Sequence, residues 1–286
     1  MISSKRIRLM GQKVIDFISS WKTDNTSTGS SNDDQVKLPL DSSGTYNFVV
    51  DWGDSSTDTI TAWDQSEVTH TYSSIGTYEI KITGQCEVFR FNNTGDRLKL
   101  LDISNWGNEE FRFGNDGGIF YGCSNLNISA TDDAITTITN SLTNCERFFE
   151  GCTSFNGDVS NFDTSNVTNM SSMFYNCNAF NQSVSNFDTS NVTDMSSMFR
   201  YCNAFNQDIS NFDISLVTIM NNMLSFAENW STANYDAFLI SAAGQSVQSE
   251  VSFGCSSYYT SGGAAEAART SLINDDSWSI TDLGGV

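Results

Sequence analysis

The residues that could do chemistry in this sequence are 34 acids, seven cysteines and a single histidine, His70. Two suitably placed carboxylates suffice for glycoside hydrolysis, so composition alone leaves that reaction open. The acids Asp163, Asp188 and Asp213, however, recur every 25 residues, whereas a catalytic pair is expected as a unique constellation. Such a row of aspartates could gather calcium, but Asp ahead of Thr-Ser reads more naturally as a turn cap. Asp51 and Asp54 offer the same two readings. His70 lies in a strand-like motif and reads as structural rather than as a base. No glycine-rich phosphate loop, zinc signature or G-x-S-x-G elbow is present. We therefore expect no enzyme, no catalytic residue, no metal and no cofactor.

The cysteines argue along the same line. Cys123, Cys152, Cys177 and Cys202 hold one repeat position, and Ala227 takes that place in the next copy. A slot accepting Cys or Ala is small and apolar, so buried free thiols are expected. Their spacing fits no zinc pattern, and folding in a reducing cytoplasm follows. Binding chemistry, if present, should use polar and aromatic residues repeating outside the core. Tyr175, Asn178, Arg200, Tyr201 and Asn203 are the candidates, against the plainer reading of Tyr beside a core Phe as a rim residue. A basic arm carrying Lys5, Arg6, Arg8 and Lys13 is a candidate docking peptide, or simply a frayed terminus.

What positions these residues is a repeat. Residues 159 to 182 return as 184 to 207 and again, degenerate, from Ile209. Leu142, Cys145, Phe149 and Cys152 hold the same register one period earlier, and Cys123 precedes Cys152 by 29 residues, which marks a small insertion. Fixed self-similarity at this length means units that bury their apolar faces by stacking on one another. Val167, Met170, Met173, Phe174, Cys177 and Phe180 step by three and four, which predicts a short apolar helix with Ser165 or Asn166 as N-cap. Val159 to Asp163 reads as a brief strand. Five coils stacked about 4.8 Å apart would give a rod of roughly 25 Å. Stacking would align Phe162, Phe187 and Phe212 as core, and Asn156, Asn181 and Asn206 as a ladder bonding turn backbones.

Phe162-Asp-Thr-Ser-Asn-Val-Thr-Asn-Met-Ser-Ser-Met-Phe174 and its copy at 187 to 199 resemble the BspA-type leucine-rich-repeat-like surface repeats, DUF285, found in bacterial surface and phage-encoded proteins. The resemblance implies a right-handed solenoid with roles in adhesion or recognition, and brings no catalytic residues. Val49-Val-Asp-Trp-Gly-Asp-Ser-Ser and Val68-Thr-His-Thr-Tyr-Ser-Ser-Ile-Gly-Thr-Tyr are similar to the two halves of a PKD-type immunoglobulin-like domain. That family consists of non-catalytic spacers and binding modules. Strands are expected at 14–21, 35–40, 45–52, 57–62, 68–72, 77–83 and 87–91. After Trp230, helices are expected at 232–243 and 264–273, with a last strand near Trp278. Similar tails follow BspA-type repeats in phage and marine bacterial proteins.

The expected fold class is thus mixed β and α/β: a PKD-like β-sandwich, a short right-handed solenoid of about five coils and an α/β C-terminal cap. Its parts are a basic arm at 1–13, the sandwich at 14–94, the solenoid at 95–230 and the cap at 231–286. A net charge of −20 disfavours nucleic acid and anionic membrane as partners. The start has no apolar segment behind its basic residues, and no run of eighteen apolar residues occurs, so neither secretory signal nor membrane span is expected. The function that follows is surface recognition by a virion component such as a phage fibre, spike or decoration protein. It would dock on other virion proteins through the N-terminal region, expose the repeats to a host glycan or protein, and could form a homo-oligomer. A bacterial cell-surface adhesin and a glycan-active enzyme are the alternatives.

Overall fold

The computed structural model describes residues 16–132, 134–139 and 141–286. Strand β1 (Phe17–Lys22) alternates buried Phe17, Ser19 and Trp21 with half-buried neighbours, the period-two pattern of a sheet with one face on the core. β3 (Tyr46–Asp51) buries Tyr46, Phe48 and Val50 in the same way and leaves Val49 exposed. β1 and β3 flank β6 (Thr77–Cys86), and both run antiparallel to it. β4 (Thr57–Ile60) edges β3. On its other side β1 pairs antiparallel with β7 (Leu100–Trp106), which in turn pairs in parallel with β8 (Asn127–Ile128).

These pairings overturn the expected sandwich. Four of the seven strands foreseen for two facing sheets, β1, β3, β4 and β6, join β7 and β8 in one six-stranded sheet, ordered β4-β3-β6-β1-β7-β8. That sheet runs straight into the opening of the repeat. β2 (Gln35–Lys37) and β5 (Thr69–Thr71) form only a two-stranded ladder of three residue pairs. The stretch expected as a strand at 87–91 contributes one isolated bridge, Leu40 to Phe89. The physical reason is edge pairing. β1 presents two edges, and the first strand of the repeat segment satisfies the one that a closed sandwich would have covered.

The repeat itself corrects the second part of the expectation. The units lack the strand and the helix foreseen for each of them, so the expected right-handed solenoid of strand-and-helix coils does not hold. Instead backbone amides alternate in role. The N–H groups of Cys145, Arg147, Phe149 and Gly151 donate to carbonyls of the following unit, at Asn169, Ser171, Met173 and Tyr175. The intervening N–H groups of Phe148, Glu150 and Cys152 close turns onto residues three back. Residues in the left-handed region, among them Ser172, Asn176, Ser197 and Tyr201, interrupt any helix. Apolar steps of three therefore come from consecutive turns, which mimic helical spacing in the sequence. Among the described residues the repeat's one helix is α1 (Ala134–Thr139), in the segment that carries the insertion.

What holds the units in register is side-chain and backbone repetition. Phe149, Phe174 and Phe199 stack with ring centroids 5.5 Å apart at each step. Phe155, Phe180 and Phe205 stack beside them at 5.7 and 6.2 Å. On the surface, Asn156 Oδ1 accepts from Asn181 N–H, Asn181 Oδ1 from Asn206 N–H, and Asn206 Oδ1 from Ser231 N–H. This is the inter-unit ladder that the asparagine spacing implied. All seven cysteines are buried free thiols, and Cys152, Cys177 and Cys202 donate to carbonyls of the preceding unit. Burial pushes the Cys145 thiol up to about 12, and such a thiol is a poor nucleophile.

The C-terminal region continues the stack rather than closing it as a separate cap. β9 (Met220–Leu224) belongs to the last repeat, yet it pairs in parallel with β10 (Ser252–Cys255), which pairs in parallel with β11 (Ser279–Thr281). α2 (Thr232–Ala243) is N-capped by Ser231 and buries Tyr235, Phe238, Leu239 and Ala242. Its Asn234 and Ser241 donate to the carbonyls of Asn206 and Ser210 in the preceding unit. α3 (Ala264–Asn274) packs against α2.

Candidate functional site

The ladder carboxylates are occupied by their own turns. Asp163, Asp188 and Asp213 each accept the N–H of the serine two residues on, at 3.0 Å. Asp51 caps Gly53 and Asp54 caps Ser56 in the same manner. Among the described residues no three His, Cys, Asp or Glu side chains gather as metal ligands. His70 stacks on Trp52 at 4.9 Å, meets Tyr72 edge-on and lies 2.8 Å from Asp54 Oδ2. Partial burial raises the Asp54 carboxyl, but hydrogen bonds from Ser56 and His70 outweigh it and hold the group at about 2. The imidazole is thus fixed as a packing and pairing element of the sheet region.

Of the residues expected to bind, three come together. The Arg200 guanidinium lies 5.9 Å from the Tyr175 ring centroid and 5.1 Å from that of Tyr201, within cation–π range. Phe226, which the sequence reading missed, completes the group: Arg200 is 5.6 Å from its ring, and Tyr201 stacks on it at 4.6 Å. The 25-residue spacing from Tyr201 to Phe226 was the signal that could have found it. Phe226 is 45% exposed, which is unusual for a phenylalanine in a chain whose other apolar ladders are buried. Arg200 Nε is buried without a partner. Asn178 and Asn203 directly follow the ladder cysteines Cys177 and Cys202 in the chain and are not part of the ring and guanidinium group. Lys5, Arg6, Arg8 and Lys13 lie outside the described residues.

Tyr201 and Phe226 hold φ of 62° and 64°. Left-handed backbone at bulky residues costs roughly 1 kcal/mol or more and persists where the surroundings impose it. Here the imposing element is the inter-unit bond, since Tyr201 N–H donates to Ser225 C=O at 3.1 Å. The geometry turns both aromatic side chains outward onto one ridge. Further along the same face, Arg147 lies 5.9 Å from the Tyr121 ring. Beside it opens a cavity of about 350 Å³ that reaches from Asn93 to Asn176. Aromatic faces, a guanidinium and side-chain amides on one surface can hold a ligand by stacking and hydrogen bonding, without a reaction step.

Comparison with known proteins bears on the repeat alone. No curated protein and no solved structure matches the chain. One family model does match part of the chain. That match gives no support to the PKD-like reading of the N-terminal segment or to a phage origin, and it favours a surface-type repeat protein. Residues 117–238 match the family model described as Mycoplasma protein of unknown function, DUF285.

Proposed function

We propose that the chain is a non-catalytic recognition protein displayed on a surface, with the Tyr175–Arg200–Tyr201–Phe226 ridge as its binding face. The observation that carries this reading is the ridge itself. A structural rim would bury or replace Phe226, whereas this one is kept exposed, in stacking contact, on strained backbone. The ladder carboxylates cap turns and His70 is locked among aromatic rings, which supports binding over catalysis. Its setting is a virion surface, with attachment through the N-terminal region. The family description names a bacterium, and this favours a second reading as a bacterial cell-surface adhesin.

Mass spectrometry and immunogold labelling of virus particles and cell envelopes from the source discriminate the two. Signal on purified particles is expected for a virion protein. Signal on envelopes alone would replace that reading with the adhesin, and signal on neither would remove surface display altogether.

A further inference from the structure

Two columns of residues run along the ridge face, one residue apart in each unit. The first reads Tyr121, Glu150, Tyr175, Arg200, Ser225, and the second Gly122, Gly151, Asn176, Tyr201, Phe226. They are stitched together, because each second-column N–H but the last donates to the first-column carbonyl of the next unit: Gly122 to Glu150, Gly151 to Tyr175, Asn176 to Arg200 and Tyr201 to Ser225, while Phe226 N–H donates to Ser256 Oγ. Every member of the second column is left-handed, with φ of 83°, 73°, 59°, 62° and 64°. A left-handed position favours glycine, then asparagine, and this column changes along the stack from Gly through Asn to aromatic. At one end the face is an aromatic shelf; at the other, two bare glycines leave it hollow.

The hollow is the 350 Å³ cavity. Gly122 and Gly151 form its floor, with Tyr121 and Tyr175 along the first column on either side of Glu150. A Cβ at Gly122 would collide with Asn93 Oδ1 and with Arg97 Cδ and Nε, so the Asn93 amide and the Arg97 side chain hang over that part of the floor. At Gly151 only Gly122 atoms come within 4 Å, and that half stands open. Glu150 is 15% exposed and lies 3.4 Å from Arg147. Burial raises its carboxyl, partly offset by Arg147 and by a hydrogen bond from Tyr121. The site therefore combines aromatic faces with a carboxylate, a guanidinium and two amides, grouped as polar anchors within a small pocket.

We infer that this hollow is a subsite for one neutral pyranose residue of a glycan whose neighbouring sugars lie along the aromatic shelf. Aromatic faces stack on the apolar C–H face of a sugar ring, while carboxylate, guanidinium and amide groups pair with adjacent hydroxyls. Opposite charges at Glu150 and Arg97 suit an uncharged ligand, and the net charge of −20 repels an acidic one. Tyr201 lies 5.6 Å from Tyr175 and 4.6 Å from Phe226, so aromatic rings continue from the hollow along the face that the neighbouring sugars would follow. The inference rests on the recognition reading above and adds its ligand class and the position of one subsite.

The test is calorimetric titration of the full chain with glucose, galactose, mannose, N-acetylglucosamine and their short oligomers. Variants Tyr121→Ala and Gly151→Asn are titrated alongside it. Asparagine already occupies the equivalent left-handed position at 176 with φ of 59°, so Gly151→Asn fills the floor without backbone conflict. Saturable binding of a neutral sugar is expected, weakened at least about tenfold in both variants, with the unfolding midpoint of Gly151→Asn unchanged. No binding by any sugar of the panel, or full-strength binding in Gly151→Asn, would overturn the subsite. Attachment to surfaces that survives in Gly151→Asn but is lost on cutting the shelf would sink the subsite and leave the recognition reading standing.

Discussion

Replacing Lys99 with methionine is expected to lower the unfolding free energy by about 3–5 kcal/mol, the cost of breaking a buried ion pair by removing one partner. Lys99 and Asp96 are both fully buried, with Nζ 3.7 Å from Oδ2. The ammonium donates to the carbonyls of Ser31, Asn32 and Gln35 at 3.2, 2.6 and 2.8 Å, and to Ser31 Oγ at 2.9 Å. Asp96 in turn accepts from the N–H groups of Ser31 and Lys37. The pair thereby fastens the loop before β2 to the turn before β7. Desolvation pulls the Lys99 pKa down, and Asp96 opposes that pull. Methionine would fill the stem's volume but strip the ammonium donor from three part-buried carbonyls, of which Asn32 C=O keeps the Gln35 N–H, and leave a buried carboxylate without its cation. Urea unfolding measures the loss; a change below about 1 kcal/mol would mean that the loop relaxes to let water in.

Phe174→Ala should cost a similar amount, about 3–5 kcal/mol. Its ring is fully buried, stacks between Phe149 and Phe199 at 5.5 Å each, and lies 4.2 Å from Phe180. Because the units around Phe174 contain no helix and are joined by single backbone hydrogen bonds and isolated bridges, no regular element can bear the cavity while the stack survives. Phe174→Leu retains most of the volume and should cost less than half as much. Equal losses for the two variants in urea unfolding would show that ring stacking, and not cavity volume, sets the stability of the stack.

Register was plain in the sequence and local conformation was not. The 25-residue copies placed Phe174 above Phe149, Asn181 above Asn156 and Cys177 above Cys152, because stacked identical units must align identical residues. The helix expected from Val167 to Phe180 is absent because consecutive turns and helices share a three-residue apolar step. What separates them is the left-handed backbone at Ser172 and Asn176; Asn176 is of a type that tolerates it, but Ser172 gives no such sign. The sandwich failed for a similar reason. Alternation identified β1, β3 and β6 as strands, but nothing in the pattern said that β7 would take the free edge of β1. The same limit governed the site. Tyr175, Arg200 and Tyr201 were visible as repeating polar and aromatic positions. Gly122 and Gly151 gained meaning only once the inter-unit bonds put them on one floor, and Lys99 carried no signal at all.

The most direct test of the recognition face is binding of the fluorescently labelled full chain to intact cells, measured for the parent and for an Arg200→Ala/Tyr201→Ala double variant. Cells of the source organism and of its hosts supply the surfaces. Both residues are half-buried at the edge of the core, so the variant should remain folded, as its circular dichroism and unfolding midpoint would show. The account predicts saturable attachment of the parent, reduced at least about tenfold in the variant. Equal attachment by the two proteins, or none by the parent to any surface tried, would contradict it.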